Sequence, residues 1–196
     1  MRCLFFYGLT LVLWATLSGQ TQRSLKVVAV DPVSREPIEL YQDSRAVLFG
    51  INKYQYVDQL NYAVADAESL RSLLIRKFNF RPEHITILAD EHATKEGIMN
   101  AFASLLEGST NERVVVFYAG HGTQIDLPAG GEMGYLIPVD GKAKTKTELY
   151  STCISMEALK QISNQIPAKH VLFLVDACYG GLSAITSRAL DRKSVV

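Results

Sequence analysis

From Arg45 onward, short runs rich in β-branched and aromatic residues alternate with longer stretches of helical period. The runs AVLFGI (Ala46–Ile51), HITILA (His84–Ala89), RVVVFYA (Arg113–Ala119) and HVLFLVD (His170–Asp176) predict strands. Three of them are almost continuously apolar, as strands covered on both faces are. Between the first two, Val64, Ala67, Leu70, Leu73, Leu74 and Phe78 recur at three- and four-residue intervals and predict one buried helix face, with Glu68, Arg71, Arg76 and Lys77 mostly opposite. Thr94 to Leu106 repeats the pattern, and Gly108 is placed to stop it. Ser155 to Ile166 predicts a third helix, with Ser155 as N-cap and Pro167 just beyond its end. Asn79 to Glu83, which contains Pro82, reads as a turn. Lys26–Val30 and Ile38–Tyr41 fit either an edge hairpin or an extended lead-in. Ile125–Gly134 is a glycine-rich break, and Gly141–Thr147 (GKAKTKT) a basic loop. Strands alternating with helices predict a parallel sheet with helices on its faces.

The start of the chain breaks this pattern. Leu4 to Leu17 is an uncharged apolar run followed by small and polar residues, which predicts a secretory signal peptide over residues 1–19. The run is shorter than the roughly 20 residues needed to cross a bilayer, so no stable membrane anchor is expected. The protein is then expected to be exported, to the periplasm or the extracellular space. Residues 20–43 form a lead-in, and 44–196 a single domain, within the size range of one hydrophobic core. Lys plus Arg and Asp plus Glu number 20 each, so no overall basic field favours nucleic acid as a partner. Of the 3 cysteines, Cys3 leaves with the leader. The remaining pair, Cys153 and Cys178, is too few for a disulfide scaffold, although a single bridge between them would silence either thiol.

In an open parallel sheet, reacting groups collect beyond the carboxyl ends of the strands. Two strands are expected to end in sharp glycine-bearing turns: VVVFYAGHG sets His121 between Gly120 and Gly122, and VLFLVDACYGG sets Cys178 ahead of Gly180 and Gly181. Neighbouring strands would aim an imidazole and a thiol into one crevice. A thiolate nucleophile needs such a base beside it. Glycines beside both residues let backbone N–H groups approach a developing oxyanion. Either residue alone has an ordinary explanation, a loop histidine or a small buried hydrophobe; together they point to a catalytic dyad.

YAGHG and DACYGG, each after an apolar strand, resemble the motifs of the caspase-like cysteine peptidases and, within them, the bacterial metacaspase-like members. The resemblance runs from Arg45 to Leu182 and takes in FGINKY, NYAVADA and LIPVD (Leu136–Asp140). It implies a three-layer α/β caspase-hemoglobinase-like fold, with a mostly parallel sheet between helices, and a cysteine endopeptidase acting on peptide or protein substrates. His121 would be the general acid and base, Cys178 the nucleophile, and the N–H groups of Gly122 and Cys178 the oxyanion hole. Asp66 and Asp176 would bind the substrate and favour Arg or Lys before the scissile bond. Asp66 also fits a helix first-turn acid that complements the dipole. Asp176 ends a run expected to be buried, where an unpaired charge is costly, which favours a place in the site.

The sequence reaches Val196 soon after Cys178, so the resemblance implies that the small-subunit strands are lacking. An open sheet edge would then invite a missing small-subunit polypeptide or self-association, and an inactive or split module acting in protein interaction is the alternative function. Acids near the two motifs are too sparse for a calcium cage, the four histidines lie on different elements, and no cofactor or metal is expected. A flavodoxin-like binding domain is a weaker reading, since no phosphate-binding fingerprint is present.

Overall fold

The structure is a computed structural model and describes residues 28–30 and 34–178. The apolar leader, Gly180 and Gly181 lie outside the described residues. In chain order the elements are β1 (Val28–Val30), β2 (Pro37–Glu39), β3 (Asp43–Gly50), α1 (Ala63–Phe78), β4 (Ile85–Ala89), α2 (Lys95–Leu106), β5 (Glu112–Asp126), β6 (Glu132–Leu136), α3 (Lys146–Thr152), β7 (Ile154–Ser155), α4 (Met156–Ser163) and β8 (His170–Cys178).

The lead-in is a hairpin, β1 antiparallel to β2, rather than an extended arm. The main sheet runs β4-β3-β5-β8, all parallel, and the far half of β5 leaves it to pair antiparallel with β6, which in turn pairs with β7. Strand alternation builds the layers. Ala46 and Leu48 of β3 pack with Val115 of β5 against Ala67 and Leu74 of α1, whereas Val47 and Phe49 face Ile98, Phe102 and Leu105 of α2 on the other side. Phe102 lies 5.5 Å from Phe49 and 6.3 Å from Phe173, so one α2 side chain joins β3 to β8.

Helix ends follow local chemistry. Thr94 caps α2 by accepting the Gly97 N–H, Ser155 caps α4 through Ala158, and Asn79 closes α1 in the left-handed conformation at φ 60. The basic loop expected at Gly141–Thr147 turns into α3, which Thr145 and Glu148 start with a reciprocal capping box. Within the expected glycine-rich break, Gly130 and Gly131 at φ 90 and 86 make the tight turn that returns the chain as β6.

Two sequence expectations need correction. First, β5 does not end at Ala119: it runs unbroken through His121 to Asp126, because β6 takes up the edge that β3 leaves at Ala119. Second, β8 is not covered on both faces. Leu172, Leu174 and Val175 are 51%, 37% and 38% exposed, and among the described residues β8 pairs with β5 alone.

Candidate active site

The chain crosses from β4 over β3 to β5, so strand order reverses between β3 and β5, and the loop after β3 meets the far half of β5 at their carboxyl ends. That loop is held along its length. Ile51 N–H donates to the Ala119 carbonyl (3.1 Å), Gln55 N–H to Val139 (3.0 Å) and Leu60 N–H to Asn52 (2.9 Å). The Asp90 carboxylate accepts the N–H groups of Asn52 and Lys53 at 2.7 and 2.9 Å, and Gln59 Nε2 donates to the Tyr54 carbonyl at 2.8 Å.

So fixed, the loop reaches His121 twice. The Tyr54 hydroxyl accepts the His121 backbone N–H at 2.7 Å, and the Asp58 carbonyl lies 2.9 Å from Nε2. A carbonyl only accepts, so Nε2 carries a proton and the neutral ring leaves its lone pair on Nδ1. Nδ1 is buried and has no hydrogen-bond partner among the described residues. The residue as a whole is 7% exposed.

Beneath this stretch of β5 the Tyr118 hydroxyl lies 2.7 Å from the Ile137 carbonyl and 2.9 Å from that of His121. Tyr118 and position 120 share a face by alternation, and any Cβ at Gly120 would collide with the hydroxyls of Tyr54 and Tyr118. Burial pushes the Tyr54 hydroxyl up to about 12 and that of Tyr118 well above its ordinary range, so both stay neutral.

The other expected residues fall around this centre. His121 and Cys178 are direct register partners on β5 and β8, so the structure brings the two candidate residues side by side, although neither stands in a turn. Ile137 N–H donates to the His121 carbonyl, which makes Gly122 and Leu136 a pair without mutual hydrogen bonds and turns the Gly122 N–H away from β6. Asp66 is in the first turn of α1, whose start rests on Gly50; Gly50 pairs with Ala119, and Ala119 with Asp176. The two acids thus straddle one line across three strands, about 10 Å of sheet. Both are exposed, and Asp176 does not end a buried strand, since the face of β8 that carries it is open.

Cys153 stands apart as a free, buried thiol beside Thr152 Oγ1 (3.8 Å) and the Lys142 carbonyl (3.5 Å). Burial pushes it up to about 11, against the opposing effects of Thr152 and Lys95, and so keeps it protonated and unreactive. Outside the Asp58 loop, a cleft of about 640 Å³ is lined by Tyr56, Asp58, Lys142, Lys144 and Glu148, with Lys142 Nζ 4.7 Å from the Tyr56 ring centre.

Tyr54, Asp58 and Tyr118 were not singled out from the sequence. Tyr118, two positions before a strand glycine, carried a readable signal, because space above a glycine suits a hydroxyl reaching under the backbone. Asp58 carried none, since its contribution is a backbone carbonyl that any residue supplies.

Comparison with known proteins bears on the whole assembly. The family model described as "Caspase domain" matches residues 43–195. Metacaspase-1 of Eremothecium gossypii is 27% identical over 148 residues, covering 70% of this chain and 32% of that protein, and Metacaspase-1 of Arabidopsis thaliana is 29% identical over 148 residues, covering 70% and 39%. The chain therefore spans about a third of the length of these curated relatives. Among solved structures, protein GSU0716 from Geobacter sulfurreducens superposes with a TM-score of 0.56 at 20% identity, covering 71% of this chain and 52% of that one. The sheet flanked by helices is thus the caspase-like α/β fold, and the chain belongs to the caspase-domain family of peptidases.

Proposed function

We propose that the chain carries the catalytic dyad of a cysteine endopeptidase cutting after Arg or Lys. The observation that supports this best is the register pairing of His121 with Cys178, joined to an imidazole whose proton is held on Nε2 and whose Nδ1 is left free. Nδ1 takes the Cys178 proton; the thiolate attacks the scissile carbonyl carbon, and the imidazolium returns the proton to the departing amine. The resulting thioester is hydrolysed by a water that gives its proton to the same Nδ1. The Gly122 N–H, turned away from β6, and that of Cys178 donate to the oxyanion. Asp66 and Asp176, both exposed, supply the carboxylates for a basic side chain.

The test is turnover of fluorogenic peptides with Arg, Lys or Asp before the scissile bond, in reductant, for the natural chain and its Cys178→Ala and His121→Ala forms. Cleavage after Arg or Lys is expected and should fall at least 1000-fold in either variant, as removal of a member of such a unit does. Unchanged turnover in Cys178→Ala would sink the assignment.

A second reading, a caspase-like module that works by binding another polypeptide, is favoured by the exposed apolar side chains Leu172, Leu174 and Val175 on β8.

A further inference from the structure

The loop after β3 does more than deliver a carbonyl to the imidazole. We infer that Tyr54 is a positioning residue that fixes the ring of His121, an inference that rests on reading His121 as the base of the dyad. Its hydroxyl accepts the His121 backbone N–H at 2.7 Å, and its ring lies 4.8 Å from the imidazole centre at an interplanar angle of 49°. One side chain therefore holds this residue by both its amide and its ring face.

The hydroxyl is itself held. Its oxygen accepts from His121, and the Tyr118 hydroxyl lies beside it above Gly120. Tyr118 is fixed independently, donating to the Ile137 carbonyl at 2.7 Å. Around His121, its own N–H donates to Tyr54, the adjacent Tyr118 donates to the Ile137 carbonyl, and the Ile137 N–H donates back to the His121 carbonyl. Every member is buried: Tyr54 is 4% exposed, Tyr118 1% and Ile137 0%. Gly120 leaves the room in which the two hydroxyls meet.

Tyr54 also sits four residues before Asp58 in the same pinned loop, and its carbonyl takes the Gln59 side chain. Displacing the Tyr54 ring therefore moves the Asp58 carbonyl relative to Nε2. Once that hydrogen bond lengthens, nothing holds the proton on Nε2, and the ring divides between its two neutral forms. In one of these Nδ1 carries the proton and cannot act as a base.

The test uses the full chain and its Tyr54→Phe form, which keeps the ring and removes the hydroxyl. Long-range proton–nitrogen spectra of the His121 imidazole report the tautomer without any need for turnover. The natural chain should show one neutral form, protonated on Nε2, and Tyr54→Phe a mixture. Where the chain turns over peptide, kcat should fall about tenfold or more with KM within twofold, as misplacement of a base at this distance does. Ring signals identical to those of the natural chain in a folded Tyr54→Phe would overturn the inference, whatever the turnover. Peptide cleavage insensitive to His121→Ala would instead remove the base assignment and leave the tautomer result to decide the positioning alone. If Tyr54→Phe does not fold, Gly120→Ala, whose methyl collides with the same hydroxyl, is read in the same spectra with the same two outcomes.

Discussion

Glu112 is 2% exposed and meets Arg45 through two hydrogen bonds, Nε to Oε2 at 3.0 Å and Nη2 to Oε1 at 2.8 Å. Arg45 donates twice more, to the Ser104 and Leu105 carbonyls, both 2.9 Å away, and so also closes the end of α2. The pair fills the space over residue 108, where any side chain would strike both partners, which gives Gly108 a packing role beyond stopping the helix. Removing one charge strands the other. Glu112→Ala should cost about 3 kcal/mol in urea unfolding, and replacing Arg45 and Glu112 together with methionine should cost clearly less than that single change. Equal losses would mean that the pairing contributes little. None of this was legible from spacing alone, because Arg45 and Glu112 lie on separate strands and meet only once β3 and β5 pair.

At the level of elements, much of the architecture was present in the hydrophobic pattern. The helix faces of α1 and α2 and the Ser155 cap of α4 follow from periodicity and end chemistry that act within a few residues. α3 was readable in principle, since Thr145 followed three positions later by glutamate is a capping signature, but the three lysines around it read as a loop. Its Thr145 Oγ1 accepts the Glu148 N–H at 3.2 Å, and the Glu148 carboxylate accepts the Thr145 N–H at 3.0 Å. Thr145→Ala should therefore destabilise the protein by about 1 kcal/mol, measured by thermal or urea unfolding, whereas Thr145→Ser should be close to neutral. The length of β5 was not readable. Gly120 and Gly122 resemble the end of a strand in any local reading, and only β6, arriving from beyond the hairpin turn, shows that the strand continues.

Across the whole molecule, the parallel sheet ends at the short strand β4 on one side and at β8 on the other, and β8 has one partner among the described residues. Leu172 and Leu174 share the α1 face of the sheet with Val115 and Phe117, but α1 covers the inner strands and stops short of them. On the interaction reading proposed above, this surface would take a second polypeptide. Sedimentation of the natural chain should show association that grows with concentration, and Leu172→Thr combined with Leu174→Thr should return it to monomer with the fold intact. A monomer at all concentrations would count against the interaction reading.

The division of β5 between two ladders has one more effect. The parallel side joins four strands, whereas the hairpin side rests on five residue pairs at the margin of the sheet, and His121 stands where they meet. Local opening draws on the weakest ladder first. Heating would then loosen the hairpin, and the Ile137 anchor with it, while the parallel strands remain closed. On the proposed reading of His121 as the base, activity would fade in molecules whose circular dichroism is still that of the intact protein, and loss of turnover on heating would precede melting because of one small turn.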